Sequence, residues 1–146
     1  MRVDDFRRWM LGGRKKPKYG NKKVIVDGIE FDSQREGDRY LVLRDAVGRG
    51  VISDLRLQVE YELIPSQWEE HEEQKKRGGT RIVRKCLFKS VCYTADFVYV
   101  KDGRTVVEDV KASPKVIPKE FAIKEKLMLF RHGLKIRRVY NAGDEV

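Results

Sequence analysis

The chain has 146 residues, enough for one domain with its own core, and carries 32 Lys and Arg against 23 Asp and Glu, a net charge of +9. A chain this basic is matched to polyanions. No segment pairs a basic stripe with an apolar one suited to lying on lipid, so nucleic acid is the favoured partner over a membrane surface. No apolar run is long enough to span a bilayer and no secretory leader is visible, so a cytoplasmic setting is expected. Two cysteines and two histidines are too few for a disulfide framework and unpromising for structural zinc.

Residues 1–23 form a basic arm, with Arg14, Lys15, Lys16, Lys18, Lys22 and Lys23 as candidate phosphate contacts and Gly12, Gly13, Pro17 and Gly20 opposing regular structure. The domain proper is placed at 24–146. Residues 22–31 read as a short hairpin turning at Asp27-Gly28, and Ser33 opens a helix that runs to about residue 47, ended by Gly48 or Gly50. From 55 to 63 the alternation is strict. Leu55, Leu57, Val59, Tyr61 and Leu63 fall on one face of a strand, with Arg56, Gln58, Glu60 and Glu62 on the other.

Residues 65–81 show no helical stripe and read as a mobile charged loop inserted into the domain, a flap over the substrate. Their four glutamates argue against phosphate, so no contact is assigned to them. Residues 84–100 read as one long strand and 105–112 as the next, turning at Asp102-Gly103. On a single strand, Cys86 and Cys92 would stand roughly 20 Å apart, far beyond the ~7 Å reach of a disulfide. Residues 118–131 read as a helix with Phe121, Ile123, Leu127 and Phe130 as its apolar positions, stopped by Gly133, and 135–140 as a last strand.

The chemistry concentrates at Asp96 and at Asp109-Val110-Lys111. Residues two apart on a strand share a face, so Asp109 and Lys111 project together, while Glu108 falls with Val106 and Val110. A hairpin at Asp102-Gly103 brings Asp96 alongside them. Two carboxylates and an ammonium gathered there are costly to bury, and a divalent cation would make the arrangement sensible.

Asp96 followed by Asp109-x-Lys111 on the next strand resembles the active-site signature of the PD-(D/E)XK nuclease superfamily, although Ala95 stands where that signature has proline. The order helix, three meandering strands, helix, strand resembles that superfamily's core over residues 24–140. The resemblance implies an α/β fold of a single domain: a central mixed sheet flanked by helices in α-β-β-β-α-β order, preceded by the basic arm. It also implies metal-assisted phosphodiester hydrolysis with catalytic Glu36, Asp96, Asp109 and Lys111. Asp96, Asp109, the Val110 carbonyl and Glu36 would hold Mg²⁺, with Mn²⁺ able to substitute. Lys111 would orient the attacking water or stabilise charge on the phosphoryl oxygens.

Glu36 has a second reading, because Ser33-x-x-Glu36 is also a capping box. Gln58 stands where related nucleases often carry a glutamine near the site, or is simply solvent-exposed. Lys124 on the second helix is a further candidate DNA contact. In size and layout the chain is similar to archaeal-type Holliday junction resolvases, and the strand-turn-strand of residues 24–31 leading into residues 32–36 resembles a phage-borne branch of the superfamily, which implies a bacterial, archaeal or phage-infected cell. The expectation is therefore a homodimeric endonuclease that resolves four-way junctions by paired cuts. A nuclease for flaps, ends or nicked duplex, in replication or transposition, is the nearer alternative; a non-catalytic DNA-binding module is the more distant one.

Overall fold

The computed structural model describes residues 22–146. The arm cations Arg14, Lys15, Lys16 and Lys18 lie outside the described residues. The first described element is a small antiparallel hairpin of β1 (Val24–Val26) and β2 (Ile29–Phe31), closed by Asp27 and Gly28 at φ 52° and 77°. Two successive left-handed residues make the turn whose twist matches that of paired strands. Helix α1 (Gln34–Gly48) follows, capped by the Ser33 hydroxyl, which accepts from the Glu36 amide. The helix lies close against the hairpin because residue 37 is glycine: a Cβ there would stand 3.1 Å from Cγ2 of both Val24 and Val26.

The main sheet holds β3 (Ser53–Ile64), β6 (Val91–Lys101), β7 (Arg104–Val110) and β8 (Ile136–Val139), in that spatial order. The first two contacts are antiparallel, and β7 pairs with β8 in parallel through a crossover containing α2 (Lys119–His132). Between β6 and β7, Asp102 and Gly103 repeat the left-handed pair at φ 49° and 73°. The architecture is α/β, with a mixed central sheet and a helix on each face. Leu43 and Ala46 of α1 pack with Phe97 and Tyr99, whereas Phe121 and Met128 of α2 pack with Ala95, Val98 and Val107. Among the described residues no helix is long and apolar enough to cross a membrane.

Three expectations are corrected. Residues 65–81 are not a loop: β4 (Gln67–Gln74) and β5 (Thr80–Phe88) form an antiparallel ribbon of their own, held by cross-strand ladders rather than by an apolar face. The long strand expected over 84–100 is broken at Lys89-Ser90, so Cys86 and Cys92 sit on different strands, both as free thiols. On α2 the buried stripe runs through Phe121 and Met128, seven residues apart, which turns Ile123 and Phe130 outward at 57% and 89% exposure.

A fourth correction bears on function. The apolar side of β3 is not continuous, because Leu55 and Leu57 pack under α1 while Val59 and Tyr61 pack under α2. Its partner β6 changes face at the same level, since Ala95 lies under α2 and Phe97 under α1. A regular strand keeps residues i and i+2 on one face. Here the register holds, Leu57 opposite Phe97 and Val59 opposite Ala95, while Gln58 between them is forced to φ 51°.

Under α1 the core encloses a charged pair. Arg39 and Glu108 are both fully buried and meet in two parallel hydrogen bonds, Nε to Oε2 at 2.9 Å and Nη2 to Oε1 at 2.7 Å. The Tyr99 hydroxyl donates to Glu108 at 2.7 Å, and the free edge of Arg39 donates to the Ala142 carbonyl at 2.9 Å. Breaking such a pair from one side strands a charge in the core, at a cost of about 3–5 kcal/mol. Arg39→Met is expected to lose about that much in urea unfolding, whereas Asp109→Asn, one residue along the strand from Glu108, is expected to lose far less.

Candidate active site

The β6–β7 ladder ends at Phe97 opposite Glu108. One residue further on, the Asp96 carboxylate takes over from the backbone: its Oδ2 accepts from the Val110 amide at 2.7 Å. Asp96 thus reaches sideways into the gap between the strands instead of standing on a sheet face. The face change at Gln58 and Asp96 is the local cause, and Gln58 Nε2 points back at Asp96 Oδ1 at 3.4 Å. A left-handed non-glycine residue inside a strand is strained, and strain of this kind collects where a side chain must be aimed.

Asp109 and Lys111 do share a face, as the period-two reading requires. Lys111 Nζ lies 2.5 Å from Asp109 Oδ1 and 3.9 Å from the centre of the Phe121 ring. The other Asp109 oxygen accepts from the Tyr93 hydroxyl at 3.0 Å. Burial and the charge of Asp109 raise the Tyr93 pKa far above its ordinary value, so this hydroxyl stays a donor. Asp109 is only 5% exposed. Glu108 is turned under α1 by Arg39, so Asp109 is the acidic neighbour that faces the site.

Glu36 joins the capping hydrogen bonds around Ser33. Its Oε1 accepts from the Ser33 hydroxyl at 2.8 Å and its Oε2 from the Asp32 amide at 3.3 Å. Burial raises its pKa, with a smaller push from the charges of Asp32 and Asp109. Asp96 is pushed up to about 7, first by burial and then by Asp109, with Glu36 adding to the repulsion. Three carboxylates therefore act on one another across a site that holds one ammonium.

The donors are hard oxygens of the type magnesium takes. Their present arrangement is closed: among the described residues no three His, Cys, Asp or Glu side chains are gathered closely enough to hold an ion. Lys111 and Tyr93 engage the oxygens of Asp109, and the cap engages those of Glu36. The donor chemistry fits a divalent cation, on condition that Lys111 releases Asp109.

Two clefts flank the site. One, of about 510 Å³, is lined by Lys22, Lys23, Arg35, Glu36 and Lys111. Arg35 fixes its wall by donating to the Ala112 carbonyl at 2.7 Å. The other, of about 320 Å³, is lined by Tyr93, Asp109, Phe121 and Lys124. Glu36, Gln58, Asp96, Asp109 and Lys111 are thus brought together, with Lys22, Lys23 and Lys124 on the approaches. Lys23 also pairs with Glu30 at 2.5 Å.

Residues 16–141 match the family described as Protein of unknown function (DUF1064). The chain belongs to this family. Neither a curated protein nor a solved structure matches it. Within this member the supporting side chains that sequence reasoning missed are Tyr93, Arg35 and Arg39. Only Arg39 left a trace, as a charge four residues before Leu43 and seven before Ala46, on the helix face that α1 buries.

The raised pKa of Asp96 sets a pH dependence. Its folded value, about 7, lies above the ordinary 3.8, so the folded state holds this proton more tightly than the unfolded chain. The contribution of Asp96 to stability is then full below pH 4, falls as pH rises towards 7, and stays reduced above it. In EDTA, Asp96→Asn should melt higher than the unaltered protein at pH 8, and the difference should shrink at pH 5. Equal differences at the two pH values would contradict the repulsive site.

Proposed function

We propose that the protein is a metal-dependent DNA endonuclease of the PD-(D/E)XK type, selective for branched DNA and acting on four-way junctions as a homodimer. The observation that carries this reading is the placement of Asp96 in the opening between β6 and β7, against the Asp109-Val110-Lys111 segment. The order α1, β3, β6, β7, α2, β8, with only the last strand pair parallel, agrees with the core of that superfamily.

Asp96, Asp109 and the Val110 carbonyl would hold Mg²⁺, with Glu36 joining by giving up its cap. Mg²⁺ held there would supply Lewis-acid activation of the scissile phosphate and of the attacking water. The protein's own groups do the positioning. The Val110 amide fixes Asp96, and the Tyr93 hydroxyl fixes Asp109 from the side away from Lys111. Lys111, released from Asp109, would stabilise developing charge on the phosphoryl oxygens, and its ammonium lies over the Phe121 ring. Lys22 and Lys23 in one cleft and Lys124 in the other would seat the flanking phosphates.

The described residues hold no second domain that could read base sequence, and a net charge of +9 favours phosphate contacts. We therefore assign selectivity to the shape of the DNA, and paired cuts to twofold symmetry. The 2.5 Å Lys111–Asp109 contact favours a second reading, a DNA-binding module whose acidic residues serve only ion pairs. Magnesium separates the two, because a true site raises the melting temperature by linkage and an ion-paired sheet does not.

The deciding experiment is cleavage of a labelled immobile four-way junction, run beside its linear arms and a flap, with Mg²⁺ or EDTA. Paired, Mg²⁺-dependent nicks in the junction are expected. Asp96→Asn and Asp109→Asn should each cut at least about a hundredfold more slowly while binding DNA no more weakly. Glu36→Gln separates its two roles: loss of the cap alone costs about 1 kcal/mol of stability, whereas loss of a ligand lowers turnover or metal affinity. Cutting of flaps or linear duplex would retain the site and discard the junction assignment. Normal cutting by either aspartate variant would discard the site.

A further inference from the structure

Among the described residues, the β4–β5 ribbon has no extensive packing against the rest of the domain. Every residue of Gln67–Gln74 is exposed, and the two strands make their extensive contacts only with each other. Two-stranded ribbons are marginal in water on their own. This one is held by polar devices along its length. Glu73 pairs with Arg81 at 2.5 Å, Glu70 with Arg84 at 4.0 Å, and Arg84 lies 4.7 Å over the Trp68 ring. Glu69 is opposite Lys85 in the register. Three of the four glutamates of β4 thus face Arg81, Arg84 and Lys85 of β5, while Glu72 stands opposite Ile82, and the stem is close to neutral.

The tip differs. Lys75, Lys76 and Arg77 are exposed and make no side-chain ion pair among the described residues. The turn that presents them is closed by backbone alone, Lys75 N to the Gly79 carbonyl at 2.9 Å and Gly78 N to the Lys75 carbonyl at 3.1 Å. Gly78 and Gly79 are both left-handed, at φ 86° and 85°, with open space where a Cβ would stand. A bare backbone beside three cations allows close approach by an anion. At about 3.3 Å per residue, eight paired residues carry the tip roughly 26 Å along the ribbon, most of one ~34 Å turn of duplex.

We propose that the β4–β5 ribbon is a DNA-contacting arm, whose tip Lys75-Lys76-Arg77 binds backbone phosphates of a duplex segment away from the scissile bond. This rests on the nucleic-acid reading of the preceding section. The glutamates fix how it binds. Along β4 they would repel phosphates, so the stem stays out of the groove and works as a spacer, leaving contact to the end. The ribbon also leaves the sheet between β3 and β6, the strands that carry Gln58 and Asp96, so a duplex held at the tip is held relative to the site.

The test is binding of a four-way junction and of one linear arm to the full chain in EDTA, where nothing is cut, across a range of salt. A triple variant, Lys75→Ala, Lys76→Ala and Arg77→Ala, is compared with a charge-keeping one, Lys75→Arg, Lys76→Arg and Arg77→Lys. The alanine variant should bind about tenfold or more weakly at moderate salt. Its log–log salt slope should fall by about 0.9 for each phosphate that the tip no longer neutralises, and the charge-keeping variant should match the unaltered chain.

Both variants should melt as the unaltered protein does, since the altered side chains are exposed. An unchanged slope in the alanine variant overturns the arm. So does a loss shared by the charge-keeping variant, or a change in sedimentation in place of binding, which would mark a protein contact. Weakened binding by the alanine variant, with no cleavage of any DNA by the unaltered chain in Mg²⁺, would keep the arm and remove the nuclease.

Discussion

The Arg39–Glu108 pair is the interaction on which the arrangement of the site depends. Glu108 and Asp109 are adjacent acids on one strand, and only one can face α1. Arg39, buried on α1 with its guanidinium aimed at the sheet, decides which. Once Glu108 is held by two hydrogen bonds from Arg39 and a third from Tyr99, Asp109 must project to the α2 side, and Lys111 with it. The same arginine ties down the C-terminal segment through Ala142. A hydrophobic residue at 108 would fit the core at less desolvation cost, but it would supply no such directional constraint.

A second constraint operates across the sheet. The site needs Asp96 from one strand and Asp109 from its neighbour to turn towards each other, and a flat ladder would keep both standing off the surface. The structure resolves this by changing face at one level of β3 and β6. Gln58 takes the left-handed conformation, and Asp96 replaces a ladder bond with its own carboxylate. The result is a crowded, buried acidic site, in which burial and then the charge of Asp109 push the Asp96 pKa up to about 7. Lys111 offsets part of that repulsion from 2.5 Å away on Asp109.

Much of this was legible in the sequence, and what was not has definite causes. Both Asp-Gly turns, the Ser33 cap, the Gly133 stop and the placing of Asp109 with Lys111 follow from local rules: left-handed propensity, capping and the period of a strand. The ribbon was missed because its strands bury nothing, so no apolar alternation marked 67–74. The helix stripe was misread because Ile123 and Phe130 are apolar yet turned outward. The face change at Gln58 could not be read at all. Leu55 to Leu63 alternate without a flaw, and only the tertiary choice between two cores shows that they serve both. Tyr93 left no trace either, since a strand tyrosine needs no partner to be explained.

The distribution of charge shows how a basic protein can concentrate carboxylates in two places. At the site, carboxylates are concentrated and their repulsion is countered by a single lysine. On the ribbon, glutamates are laid against arginines and a lysine of the facing strand, and the uncompensated cations are displaced to the tip. In the proposed function, each arrangement would keep negative charge away from phosphate except where a cation can come between them. A net charge of +9 spread evenly would attract polyanions with no orientation. In the function proposed above, the cations of the described residues that line the clefts beside Lys111 and Lys124, and those at the end of the near-neutral stem, would instead define separate points of contact. If the partner is DNA as proposed, separated points of this kind would discriminate the path of its backbone, and hence a branch from a straight duplex, without touching a base.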